Sequence, residues 1–289
     1  MEKAYKYLIA GLAVGLVLAA ACTFALTSAM QPQQLDCKQC HEGHGSVVAP
    51  DVNANGTITL TGDSPQDEFV PIPDIFKMPQ IDVITLKSQN DQGIPTRGVP
   101  VLSFLKAHGV NNFDQLILYA DDFEVSVNRS DITDETVFVP FEYSVRMIGS
   151  NMPVTAWAKN IKTIVVVGGN AGDSITLNGK EISYGQMLDN GISTMKNNPK
   201  YPSYLYNDTS YQFETGYMVS GIALKDLLFK EGYADFSNAT IKGTAEKTLG
   251  RDDVLTGSYF VTRDQGKIMI ATAEKTRANW MDVESITVS

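Results

Sequence analysis

One stretch decides how the chain is read: Thr96–Ile132, "TRGVPVLSFLKAHGVNNFDQLILYADDFEVSVNRSDI", with its echo at Val219–Val254, "VSGIALKDLLFKEGYADFSNATIKGTAEKTLGRDDV". Each opens with a Gly and a short apolar bend. Apolar residues at helical spacing then predict amphipathic helices over Val101–His108 and Ala223–Glu231, each stopped by a Gly. A β-rich run follows, and then a polar "RSD" or "RDD" turn. Farther on, "FVPF" (138–141) and "YFVTR" (259–263) read as strands. The copies close on "TAWAKNIKTIVVVG" (155–168) and "TRANWMDVESITVS" (276–289), whose apolar residues alternate as a strand's do. The C-terminal bulk is therefore expected to be two copies of one unit, joined by the Gly-rich "GGNAGDS" at 168–174.

Working outward, the expected class is α+β. Two repeated, β-rich mixed domains, 79–170 and 171–289, follow a loop-rich segment, 31–78, and an N-terminal segment, 1–30. Within 31–78, "VNANGTITLTGD" predicts one short hairpin turning at Asn55-Gly56. A length of 289 residues agrees with two domains, and a hydrophobic share of 43% is enough for ordinary cores. Lys and Arg are scattered in a chain of net charge −10, which argues against a nucleic-acid partner.

Tyr7–Ala29 carries no charge, and a helix of about 20 apolar residues crosses a bilayer. Lys3 and Lys6 precede it, so residues 31 onward are expected outside the cell membrane, with the segment as a single-pass anchor. The alternatives are a signal peptide cleaved after Thr27 and Ala29, or lipidation at Cys22 in "AAAC". Four N-x-S/T sequons, at Asn55, Asn128, Asn207 and Asn238, permit an extracellular glycoprotein.

The chain has three cysteines and three histidines. No cysteine follows Cys40, so the repeats stand on packing alone. Cys37, Cys40 and His41 form "CKQCH", the C-x-x-C-H pattern of covalent c-type haem. Two thiols on one turn can each add to a haem vinyl group, and the next residue then holds the iron as proximal ligand. A disulfide between Cys37 and Cys40, or a zinc knuckle of Cys37, Cys40, His41 and His44, are the other readings. His44 lies too close to His41 to reach the opposite face of the same iron, so it is a candidate ligand for another haem. Met78, in "FKMPQ", is the candidate distal ligand within the chain; the other reading is packing. His108, before Gly109, is expected to be structural. The implied partner is a redox protein, either a neighbouring cytochrome or another copy of this chain.

Other patterns carry less. "VVVGGNAG" (165–172) lacks the Lys-Ser/Thr of a phosphate loop and reads as linker. The Asp pairs 121–122 and 252–253 sit in turns beside no base or nucleophile, so no catalytic residue is assigned. Tyr201, Tyr204, Tyr206, Tyr211 and Tyr217 mark an aromatic insert that suits either a partner surface or local packing.

The segments "TLKSQN…TRGVPVLSFLKAHGV", "ADDFEVSV" and "WAKNIKTIVVV" resemble the sulfite-oxidase-type molybdopterin-binding domain. The likeness spans 80–168, with a more diverged copy over 175–288. In that family a cysteine thiolate in a "TLxCxGN"-like segment binds molybdenum. Ser88 stands at that place here, and a hydroxyl is a far poorer ligand for that metal. Nor do Arg97, Arg129 and Arg146 cluster as an anion pocket; Arg97 and Arg129 read as solvated loop charges. The resemblance thus implies the fold, without the metal, as a scaffold for the haem segment.

Overall fold

The computed structural model describes residues 56–87, 93–120, 124–152, 157–169, 173–189, 210–212, 218–264, 266–272 and 281–289. All lie within one unit, Gly43–Ser289. The chain forms short β-hairpins, several of them followed by a short helix or turn, and it does so twice in the same order. The first pass runs β1 (Thr57–Gly62), β2 (Glu68–Pro71), α1 (Ile72–Ile75), β3 (Ile81–Lys87), β4 (Gly93–Pro100) and α2 (Val101–Ala107). It continues through β5 (Gln115–Tyr119), β6 (Glu124–Asn128), a 3-10 turn at Arg129–Asp131, β7 (Val137–Phe141), β8 (Ser144–Ile148) and β9 (Thr163–Val167). The second pass runs β10 (Ser174–Leu177), β11 (Lys180–Ser183), α3 (Tyr184–Leu188), β12 (Ser210–Gln212), β13 (Met218–Ala223) and α4 (Leu224–Lys230). It ends with β14 (Asn238–Lys242), β15 (Glu246–Gly250), α5 (Arg251–Leu255), β16 (Tyr259–Asp264), β17 (Lys267–Thr272), β18 (Met281–Asp282) and β19 (Ser285–Val288).

The sheet orders show the duplication. One sheet of the first repeat is β2-β1-β9-β5-β6, and its counterpart is β11-β10-β19-β14-β15. In both, the last strand of the repeat lies parallel to the first and antiparallel to the third hairpin. The second sheets, β3-β4-β7-β8 and β12-β13-β16-β17-β18, also correspond. The protein is β-rich, with two-sheet repeats and few, short helices. Among the described residues no helix is long and apolar enough to cross a membrane.

Local chemistry repeats too. Val101, Phe104 and Leu105 on α2, and Leu224, Leu227 and Leu228 on α4, lie at i, i+3 and i+4 and are all buried. Each helix ends at a glycine in the left-handed region, Gly109 (φ 80) and Gly232 (φ 91). The next N–H then donates back to the helix, Val110 to Leu105 O at 2.9 Å and Tyr233 to Leu228 O at 2.8 Å.

Three expectations change. Residues 57–71 are not a loop-rich preface, because β2 is the edge strand of the first sheet and β1 its inner neighbour, so the repeat begins at Thr57 and not at residue 79. The hairpin turning at Asn55-Gly56 is replaced by one turning at 63–67. Both edges of β1 are taken, by β2 and β9, so no strand before it can pair there. The "RDD" turn is a short helix, α5, with Asp252 and Asp253 in its first turn, where the helix dipole favours acids.

Strand alternation decides how the repeats meet. On β5 and β9, Leu116, Leu118, Ile164 and Val166 point into the first core. Ile117, Tyr119 and Val165 point the other way, into the second repeat's core, beside Tyr184, Met187 and Leu188. A strand buried on both faces needs apolar residues on both, as Ile164–Val167 supply in "TIVVV".

Candidate functional site

Cys37, Cys40, His41, His44 and Ser88 lie outside the described residues. Met78 follows α1; its N–H donates to Ile75 O at 3.1 Å, and its side chain is partly buried against the first core. His108 closes α2, with its ring 4.6 Å from Phe104 and Nδ1 2.8 Å from Glu68 Oε2 on β2. That pair ties helix to sheet, a structural role. Among the described residues no group of three or more His, Cys, Asp or Glu could hold a metal.

The three first-repeat arginines each have a separate local partner. Arg97 forms a two-point ion pair with Asp82, its direct cross-strand neighbour on β3. Arg129 donates to Ile132 O at 2.8 Å and lies 5.4 Å from the centre of the Phe113 ring. Arg146 lies against Phe141 and Trp157, at 5.4 and 5.1 Å. Arg129 is exposed on the 3-10 turn, as a solvated loop charge would be, whereas Arg97 stands on β4 in an exposed cross-strand pair.

The most constrained polar centre in the described residues lies where the repeats meet, and the sequence reading did not find it. β1 carries Thr59 and Thr61 on its outer face, and its last residue, Gly62, leads into the 63–67 turn. Arg263, on β16 of the second repeat, enters this turn with its side chain 1% exposed. Its guanidinium donates to Gly62 O and Ser64 O, each at 2.9 Å, to Ser64 Oγ at 3.2 Å and to Asp67 Oδ1 at 2.6 Å. Thr61 Oγ1 donates to the same Asp67 oxygen at 2.5 Å. The guanidinium also lies 5.0 Å from the centre of the Tyr184 ring. A charge this deep persists only when it is paired and hydrogen-bonded.

Asp63 makes the reciprocal link. Its carboxylate accepts from Gly168 N, Ser183 Oγ and Gly185 N, each at 2.8 Å, so it binds the first turn of α3. Ser183 caps the same helix, accepting from Gln186 N in a capping box. The approach needs Gly185: a Cβ there would lie 2.1 Å from Val166 O. Tyr119 completes the contact, donating to Leu188 O at 2.6 Å.

Burial raises the Asp67 carboxyl above its ordinary range, an effect that the Arg263 charge only partly offsets. Burial likewise raises the Tyr184 phenol well above its usual value. Four acceptors meet the two terminal nitrogens of the arginine, the Asp67 carboxyl faces that guanidinium and the Thr61 hydroxyl, and the Asp63 carboxylate faces two backbone N–H groups and the Ser183 hydroxyl. The arrangement joins the two repeats through buried hydrogen bonds and one ion pair. The only signal was in "YFVTR", an arginine on the strand that continues the apolar run Tyr259–Val261.

No family model matches the chain, and no curated protein matches it. Among solved structures it is similar to the sulfane dehydrogenase SoxCD from Paracoccus pantotrophus, at 12% identity over 85% of each chain. The TM-score is 0.30, a level at which the likeness assigns neither a fold nor an activity.

Proposed function

We propose that this protein is a membrane-tethered, extracytoplasmic monohaem cytochrome of the c type that carries electrons. Cys37 and Cys40 would form the thioethers and His41 would be the proximal ligand, with Met78 the distal candidate and His44 available to a neighbouring haem. A haem held this way supplies one-electron chemistry. The observation that carries the reading is the "CKQCH" box placed just after the uncharged run Tyr7–Ala29, on the side where positive-inside topology puts the chain outside. The chain's other histidine, His108, is bonded to Glu68, which leaves the box as the chain's concentration of soft ligands.

The tandem repeats are read as scaffold. Their sequence resembles a molybdopterin-binding domain with Ser88 where the metal-binding Cys stands, and their deepest polar centre joins one repeat to the other. Their work is to present the haem segment to a redox partner.

Intact mass and a pyridine haemochrome spectrum, on protein made in a host that assembles c-type haem, test this directly. A gain of one haem, lost in Cys37→Ala and Cys40→Ala, is expected. A colourless protein that has lost two hydrogens, or carries zinc, would instead make it a non-enzymatic surface binding or assembly module.

A further inference from the structure

The two repeats treat one surface in opposite ways. In the first, the outer face of the β2-β1-β9-β5-β6 sheet presents Ile117, Tyr119 and Val165, and the second repeat covers it. In the second, the corresponding face presents Thr176, Thr287, Thr240 and Thr248, and Thr176, Thr287 and Thr248 are exposed. Thr240 sits between Thr287 and Thr248 in the ladder, its Oγ1 3.1 Å from that of Thr248. With Glu181 opposite Thr176 and the exposed Lys242–Glu246 pair beside Thr240 and Thr248, these threonines make a polar surface between two sheet edges, β11 and β15.

Asn238 opens β14 on this face. The strand period of two puts Asn238 and Thr240 outward and Ala239, at 0% exposure, into the core. The sequon Asn238-Ala239-Thr240 thus has both of its recognition side chains on one outer surface, at a strand start where Asn238 is exposed. Asn128, the other sequon asparagine in the described residues, differs: its amide reaches Asp131 Oδ2 at 3.5 Å, and its next residue, Arg129, is anchored on Phe113.

We propose that Asn238 is an N-glycan acceptor and that its glycan covers the hydroxyl-rich outer face of the second repeat. The inference rests on the reading that the repeats lie outside the cytoplasm. The donor is a polyprenyl-phosphate-linked or diphosphate-linked oligosaccharide. Asn238 Nδ2 forms a bond to the sugar C1, the C1–O bond to phosphate breaks, Nδ2 gives up one proton, and the lipid phosphate leaves. No oxidation or reduction is involved. The glycan is bulky and solubilising, and lies on the face that corresponds to the covered one of the first repeat.

Peptide mass spectrometry of full-length protein from its native membranes tests this. The Asn238 peptide is expected to carry a glycan mass, lost completely in Asn238→Gln and Thr240→Ala but kept in Thr240→Ser. All three variants alter the surface, so their melting temperatures check that the fold is kept. A bare Asn238 peptide overturns the proposal. The peptide holding Cys37–His41 is read in the same digest; a haem there beside a bare Asn238 leaves the export reading standing, so the two failures are distinguishable.

Discussion

Replacing Arg263 by methionine keeps much of the side-chain volume and removes the guanidinium that joins the repeats. Gly62 O, Ser64 O, Ser64 Oγ and Asp67 Oδ1 all lose a donor, and Tyr184 loses a cation against its ring. Each buried acceptor left unmet costs about 1–3 kcal/mol, but they share one centre and do not add. Breaking a buried ion pair from one side costs about 3–5 kcal/mol, because the partner charge is left without compensation. Of a total stability of roughly 5–15 kcal/mol, that is a large part. In urea, where the slope is about 1–3 kcal/mol/M, the midpoint should fall by at least about 1 M. Lys267→Met is the control: its pair with Asp282 is 3.2 Å long with the lysine 69% exposed, and such pairs contribute about 0–1 kcal/mol. Adding Asp67→Leu to Arg263→Met should recover part of the loss, since the stranded carboxylate is then gone. If Arg263→Met shifts the midpoint no more than Lys267→Met does, the centre is not what joins the repeats.

The same centre predicts a pH response of unusual sign. The folded-state pKa of Asp67 is raised above 3.8, so its contribution is fully present below that unfolded value and is lost as pH rises through the folded one. The groups facing it are Thr61, Arg263, Tyr184 and Asp264. Wild type should therefore gain stability relative to Asp67→Asn as pH is lowered from neutral toward 3.8, measured by urea melts of both proteins at matched pH; a difference that shrinks refutes the assignment. Gly185→Ala puts a Cβ into the space before Val166 O and should destabilise the protein by about 1–3 kcal/mol or more, read as a lower thermal midpoint. Met78→Ala should lower the reduction potential of the haem protein and abolish the near-infrared sulfur-to-iron band if the thioether is the distal ligand; an unchanged spectrum leaves Met78 a packing residue.

What the sequence made legible is local. The helices at 101–108 and 223–231 were bounded by signals within a few residues, an i, i+3, i+4 stripe and a glycine stop, and they form within a residue of those bounds. The repeat was legible because its spacing survives even where identities do not. What stayed hidden depends on separation along the chain. β1 looked like half of a preceding hairpin because its sequence says only that it is a strand. Its true neighbours are β2 and, across the whole repeat, β9. Arg263 meets Ser64 at a separation of 199 residues, and nothing nearby in sequence names that partner.

The duplication also leaves one sheet face covered and its counterpart open. The strand pairs β5–β9 and β14–β19 are equivalent in topology, so backbone hydrogen bonding cannot distinguish a covered face from an open one. The outward residues do. In the first repeat they are Ile117, Tyr119 and Val165, whose burial contributes roughly 25 cal/mol per Å² of apolar surface removed from water. In the second they are threonines and charged residues such as Glu181, Lys242 and Glu246, which keep their polar groups in water. Apolar stacking alone would be non-directional and would tolerate sliding between repeats. The Arg263 and Asp63 contacts add direction, because each needs named backbone groups at hydrogen-bond distance. A hydrophobic face thus supplies attraction and one buried polar centre supplies register. Exchanging the outward residues, with Thr240→Ile and Thr287→Val on the second repeat, should therefore produce self-association visible in sedimentation while leaving the intramolecular junction and its urea midpoint intact.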